Sequence, residues 1–283
     1  MTAGPTLLAL KRCVLAVSVL DDVALLPRER HVVVAGDPVV RVPYRLVRRA
    51  LAGAEPESPL ARHRLAVLLR AARWAADLGR DGLRVRARPY GVAVDHPEHP
   101  GLDWVRDRVM GDTLDVGIGF VGLDPDRPDT VLPVPPGILE LMKIDVELWW
   151  QDAAAYLDEM AAVASLRQRR QPTPVLRPMG DCDVVTLLGS RIFRVALVRG
   201  DPTGMRGVAV PMRARGWLDL AHIDPAFAAA AAAATEPAER GFDRPLLVTA
   251  DELVQAPEGG RPAEIVLRDP AAATPVLRDV LYR

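Results

Sequence analysis

The sequence stands out for the residue types that it lacks. Its 283 residues include no asparagine and only two lysines, so nearly all of its 36 basic residues are arginine. Asparagine and lysine codons are rich in adenine, and the composition therefore indicates a GC-rich bacterial genome. Since codon usage explains part of the arginine content, the number of arginines alone says little about function.

Cysteine and serine are scarce as well. Two cysteines are too few for a disulfide framework or a four-cysteine zinc site. Cys13 and Cys182 both lie in apolar runs, which predicts buried free thiols. None of the four serines lies in a Gly-x-Ser-x-Gly pattern. The sequence therefore offers no familiar motif for nucleophilic catalysis.

Long apolar runs and a net charge are also missing. The apolar runs are about as long as a strand, well under the roughly 18 residues of a membrane-spanning helix. Charges interrupt the first apolar stretch and no small-residue cleavage site follows it, so we expect a cytoplasmic protein without a membrane segment. The 37 acidic residues balance the 36 basic ones, which gives no overall attraction to nucleic acid.

What the chain does contain is apolar residues in short blocks. Hydrophobic residues make up 49% of it, enough for a sizeable core. Blocks rich in Val, Ile and Leu and bounded by Gly, Pro or Asp predict strands. The predicted strands are 13–20, 31–35, 39–42, 83–88, 90–94, 115–121, 129–134, 184–188, 192–198, 207–210, 246–249 and 264–267.

Helices are predicted between some of these strands. Ser58 as N-cap and Pro59 at the first helical position predict a helix over 58–79. Apolar residues three or four apart predict a longer amphipathic helix over 136–170. Asp224 and Pro225 precede a third, alanine-rich helix, and a short helix is predicted over 102–110.

These elements predict an α+β fold. We expect two packed sheet-containing subdomains with one long amphipathic helix between them. The Pro-rich segment 168–180 directly after that helix predicts the boundary. The expected domains are an N-terminal α+β domain over 1–171 and a strand-rich α+β domain over 172–283.

The glycine spacing Gly117-x-Gly119-x-x-Gly122 is that of a dinucleotide-binding turn. Such a turn needs a helix that begins at the third glycine, whose N-terminus holds the pyrophosphate. Five prolines follow Gly122 within 14 residues, and they disfavour a helix there. A dinucleotide cofactor is therefore not expected. A strand with a glycine face that allows close approach is favoured.

The segment 95–103 is the stretch most typical of a site. Asp95, His96, Glu98, His99 and Asp103 lie within nine residues, and imidazole with carboxylate suits a divalent metal. The prediction is that Asp95, His96 and His99 bind the metal and that Glu98 or Asp103 carries protons. The alternative is a solvated loop, because His-x-x-His in a Pro-flanked loop is not a recognised ligand pair.

Trp149 and Trp150 are adjacent on the predicted long helix. Neighbouring helix positions point about 100° apart, so both side chains cannot occupy the centre of one core stripe. Exposed tryptophan is typical of interfaces. We predict an interface at Trp149, Trp150 and Tyr156, and the alternative is a wide apolar stripe that covers both tryptophans within the chain.

Charge is segregated along the chain. Residues 41–90 hold twelve arginines against four acids, and residues 91–170 hold fifteen acids against seven basic residues. Two functions are predicted. The first is a non-catalytic intracellular binding or assembly protein that contacts a protein partner or forms a homo-oligomer. The alternative is a metal-dependent enzyme, such as a hydrolase, with its site on the 95–103 loop.

Overall fold

The computed structural model describes residues 5–97, 99–101, 104, 106–109, 113–135, 137–233 and 236–256. Contacts between Cα atoms group the chain into two compact units. Unit 1 comprises Met1–Ala87, Pro100–Val105 and Ile118–Asp152, and unit 2 comprises Arg88–His99, Arg106–Gly117 and Ala153–Arg283. The division into independent domains near residue 172 stays a prediction.

Unit 1 begins with a helix and a small antiparallel sheet. Within the described residues its first elements are α1 (Leu7–Leu20), β1 (Leu25–Pro27), β2 (His31–Val34), β3 (Val40–Pro43), α2 (Tyr44–Leu51) and α3 (Pro59–Arg84). The three strands pair in the order β1-β2-β3. On β2 and β3 alternate valines are buried, as the period of a half-buried strand requires.

The long helix α3 follows its predicted start. The Ser58 Oγ accepts a hydrogen bond from the Ala61 backbone nitrogen at 3.1 Å, and Pro59 opens the first turn. The helix breaks at its predicted end, because Gly79 has the non-helical φ of 66°, and a short second helical stretch continues to Arg84. Leu65, Leu69 and Ala72 are fully buried along one stripe, which confirms the predicted apolar face.

The middle of the chain forms a second antiparallel sheet. Its elements are β4 (Ala87–Ala93), β5 (Arg106–Val109), β6 (Leu114–Val121) and β7 (Val131–Pro133), followed by α4 (Ile138–Leu141) and α5 (Val146–Arg170). The strand order is β4-β6-β5, and β7 pairs with β6. Three elements, β4, β6 and α5, contribute residues to both units.

Unit 2 is completed by the second half of the chain. Its elements here are β8 (Val175–Leu176), α6 (Val184–Leu188), α7 (Arg191–Val198), β9 (Met205–Met212), β10 (Arg215–Leu218), α8 (Pro225–Ala233), β11 (Leu246–Thr249) and β12 (Leu253–Gln255). The sheet order is β12-β11-β9-β10-β8. Trp217 of β10 packs on Phe227 of α8 with ring centroids 5.2 Å apart, so the alanine-rich helix does bury one face.

Several predicted elements are wrong in type. The runs 13–20, 184–188 and 192–198, predicted as strands, lie in the helices α1, α6 and α7, and the predicted helix over 102–110 contains the strand β5. Each of the three helices has a capping side chain that the apolar run alone does not reveal. Thr6 accepts from Ala9 N, Asp183 from Thr186 N, and Ser190 from Ile192 N. Short apolar runs do not distinguish a buried helix from a buried strand, whereas a capping residue before the run favours the helix.

The long helix predicted over 136–170 is also interrupted. Its first part is the one-turn helix α4, and α5 begins only at Val146. Between them Lys143 has a φ of 54°, a conformation that ends a helix. The predicted strand 264–267 lies outside the described residues.

The α+β fold class is confirmed. Helices alternate with antiparallel sheets, and the long helix α3 lies between the first and the second sheet in chain order. No helix within the described residues is both long enough and apolar enough to cross a membrane.

Candidate functional site

The glycine-rich segment 117–122 forms a strand and a turn. Gly117 and Gly119 lie in β6, and the chain reverses at Gly122, whose φ is 59°. A Cβ at Gly122 would lie 2.7 Å from the backbone oxygen of Pro128, so the turn requires glycine for space as well as for conformation. The chain then returns as β7, antiparallel to β6.

The histidines of the 95–103 segment each lie against a different group of unit 2. The Nε2 atom of His96 is 3.0 Å from the backbone oxygen of Pro237, and its side chain is buried. The Nε2 atom of His99 is 3.0 Å from the Asp115 Oδ2. Asp115 lies fully buried on β6, so its carboxylate holds the His99 ring in one orientation.

Asp95 has a third partner. Its Oδ2 is 3.4 Å from Nη2 of Arg244, and Arg244 also donates to the backbone oxygen of Ala256 at 2.7 Å. Within the described residues no three or more His, Cys, Asp or Glu side chains are grouped so as to hold a metal ion. Glu98 and Asp103 lie outside those residues, and the metal site on this segment stays a prediction.

The predicted interface residues lie at different depths. Trp149 is 2% exposed in the core of unit 1, where its ring meets Phe120 edge to face with centroids 5.9 Å apart. Trp150 is half-buried and packs against the same core. Tyr156, in unit 2, is half-buried under the guanidinium of Arg88. An interface at these residues stays a prediction.

A buried arginine in unit 2 forms polar contacts that sequence patterns did not reveal. Arg213, in the turn between β9 and β10, places Nη2 2.6 Å from the Asp183 Oδ2 and donates to the Gly91 oxygen at 2.7 Å. Its guanidinium lies 4.2 Å from the centre of the Tyr90 ring. Burial is the largest influence and lowers the pKa of Arg213, but the charge of Asp183, the Tyr90 side chain and the hydrogen bond to Asp183 together outweigh it, so the pKa is raised. The arginine therefore stays charged inside the protein.

A second arginine, Arg88, also combines an aspartate with a tyrosine ring. Nε of Arg88 lies 2.5 Å from the Asp181 Oδ2, and its guanidinium lies 4.6 Å from the centre of the Tyr156 ring. Tyr156 also donates to that carboxylate at 3.3 Å. Arg88 and Tyr90 lie on one face of β4 because side chains two apart on a strand share a face. The spacing Asp181-x-Asp183 is the sequence signal that could have drawn attention to this network.

The thiol between the two aspartates lies in surroundings that disfavour its thiolate. Cys182 is fully buried, and burial followed by the charges of Asp183 and Asp181 raises its pKa to about 12. Burial also raises the pKa of Cys13. Both cysteines are free and buried, which confirms the prediction from their apolar surroundings. A raised pKa lowers the share of the reactive thiolate at neutral pH.

The outer face of α1 is the other feature that sequence analysis missed, since it predicted a strand there. Leu10, Val14 and Val17 are buried on the inner side of this helix. Apolar residues also occupy the opposite side, where Leu8 is 60%, Leu15 49% and Val19 80% exposed. These three are seven and four residues apart, which is the spacing of one helix face. We call Leu8, Leu15 and Val19 the outer face of α1.

Comparison with known proteins leaves the function to be inferred from this geometry. No protein-family model matches the chain, and no curated protein and no solved structure matches it.

Proposed function

We propose that the protein is a non-catalytic binding or assembly protein that acts through contacts with other protein chains. The observation that carries this proposal is the outer face of α1. A helix that is apolar on both its inner and its outer side is typical of a helix covered all round. Large exposed apolar faces on folded chains mark interaction sites.

Covering this face would favour association. Burying a leucine or valine side chain completely contributes roughly 1.5–3 kcal/mol, and the three side chains of the outer face are each about half exposed or more. Lys11 and Arg12 are the charged residues on α1, and the Arg12 guanidinium lies 3.7 Å from the carboxylate of Glu57. The partner is a second copy of the chain or a different protein with a matching apolar surface.

The experiment is native mass spectrometry of the full chain and of two variants. Leu15→Gln with Val19→Gln removes the centre of the outer face, and glutamine keeps the helix propensity. Val85→Gln is the matched control, because Val85 is a 72% exposed valine outside α1. The proposal predicts an oligomer, or a complex with a co-purified protein, for the natural chain and for the control, and a bare monomer for the double variant.

Two results would overturn the proposal. The first is a bare monomer for the natural chain at micromolar concentration. The second is an assembly that the double variant retains unchanged. Co-sedimentation of the natural chain with vesicles of anionic lipid, lost in the double variant, would assign the outer face to a membrane surface instead.

A further inference from the structure

The outward face of the sheet β1-β2-β3 in unit 1 carries a groove that the proposed function leaves unused. In the antiparallel register Leu26 lies opposite Val33, and Val33 lies opposite Arg41. Val33 and Arg41 alternate with the buried valines of their strands, and Leu26 is the exposed residue of β1, so the three form a row across the outward face. A groove of about 550 Å³ opens on this face.

The groove is basic. Arg28, Arg30 and Arg41 line it together with a single acidic residue, Glu29, which leaves an excess of two positive charges. All three arginines are exposed. Among the residues that the structure describes, none of the three forms an ion pair, whereas other arginines of unit 1 do. Arg45 and Arg49 both pair with Glu140, and Arg73 pairs with Asp77.

The floor of the groove is apolar. Val33 and Val39 line it, and Val39 is half exposed. His31 completes the lining, which therefore contains no Phe, Tyr or Trp on which a base could stack. Binding of single-stranded nucleic acid relies on such aromatic platforms. Arginine at the rim and valine on the floor fit a peptide in which carboxylates flank an apolar side chain, since guanidinium pairs closely with carboxylate.

We infer that this groove binds an acidic peptide segment of a partner protein, with an apolar residue over Val33 and Val39 and carboxylates against Arg28, Arg30 and Arg41. The inference makes the proposed function more specific. It rests on that function, because it assumes that the partner is a protein. It uses residues other than the outer face of α1, so the two can fail separately. The charges that line the groove indicate an acidic partner segment, whereas the outer face of α1 indicates only that its partner is apolar.

The test is fluorescence anisotropy with the full chain and a labelled peptide of sequence Glu-Glu-Leu-Glu-Glu. The same peptide with glutamine in place of each glutamate is the neutral probe. The double variant Arg30→Gln with Arg41→Gln removes two charges of the groove. The charge-matched control is Arg169→Gln with Arg170→Gln, two exposed arginines at the end of α5. Melting temperatures of all variants verify that the chain is folded.

The inference predicts that the acidic peptide binds, that the neutral peptide does not, and that the groove variant binds about tenfold more weakly or worse while the control stays within about twofold. Equal weakening in both double variants would overturn it, because attraction would then follow net charge alone. Saturation by oligothymidylate at lower concentration than by the peptide, lost in the groove variant, would assign the groove to nucleic acid and overturn it as well. Absence of peptide binding up to millimolar concentration would also overturn it.

Native mass spectrometry distinguishes the failure of this inference from the failure of the proposed function. If the chain forms an assembly but does not bind the peptide, this inference is wrong and the proposed function stands.

Discussion

Two arginines of this protein carry the same charge in opposite surroundings. Arg213 in unit 2 is buried, and Asp183, the Gly91 oxygen and the Tyr90 ring surround its guanidinium. Arg41 in unit 1 is exposed at the rim of an open groove. A buried charge must be matched within the chain, whereas an exposed one is matched by water and is available to a ligand. The comparison distinguishes arginines that stabilise the folded chain from arginines that are available to bind a ligand.

The largest effect is expected at the buried pair. Asp183→Asn keeps the cap of α6, since asparagine also accepts from the Thr186 nitrogen, but leaves Arg213 without its counter-charge. An uncompensated buried charge costs about 3–5 kcal/mol. Urea denaturation should show a loss of that size in the free energy of unfolding.

The control for this variant is Asp243→Asn, which removes one exposed carboxylate in the same unit. Adding Arg213→Met to Asp183→Asn should recover part of the loss, because an apolar side chain needs no counter-charge. If Asp183→Asn lowers the free energy of unfolding no more than Asp243→Asn does, burial does not make Arg213 more important for stability than the exposed Arg41.

A smaller effect is expected at the second pair. Arg88 and Asp181 have side chains that are 21% and 32% exposed, between the two extremes of the comparison. Asp181→Asn should lower the free energy of unfolding by about 1 kcal/mol, since water compensates part of the lost charge. The same urea titration measures this value. If Asp181→Asn lowers the free energy of unfolding as much as Asp183→Asn does, burial does not explain the difference in stability between the two ion pairs.

The smallest effect on stability is expected in the groove. Arg41→Gln should change the free energy of unfolding by less than about 0.5 kcal/mol, as is usual for exposed positions without special contacts. Thermal and urea unfolding of this single variant would show it. A loss above about 1 kcal/mol would place Arg41 among the arginines that stabilise the fold and would weaken the groove as a binding site.

The sequence predicted those parts of the fold whose signals are local. Ser58 and Pro59 correctly start α3, and the run 246–249 is the strand β11 as predicted. The runs 184–188 and 192–198 are helices capped by Asp183 and Ser190, and a short apolar run does not reveal its helical type by its period. The polar residue before each run was the local signal that sequence analysis did not use.

The candidate sites were harder to predict than the elements. The five chemically attractive residues of segment 95–103 are close in sequence, yet His96, His99 and Asp95 each lie against a different partner. Arg88 and Asp181 form their ion pair across 93 positions of the chain. The metal site on segment 95–103 stays a prediction, whereas the ion pairs of Asp181 and Asp183 join distant segments of the chain.

The sequence by itself determined the α+β class, the capped start of α3, most Val-rich strands and the burial of both cysteines, because caps, turn residues and local hydrophobicity act over a few residues. Only the tertiary structure decided which arginines are matched by carboxylates and which apolar faces stay exposed. Arg213 and Arg41 look alike in sequence, and packing alone places Asp183 beside the one and open space beside the other. Charge pairing and exposure depend on contacts between distant segments, and no local pattern encodes them.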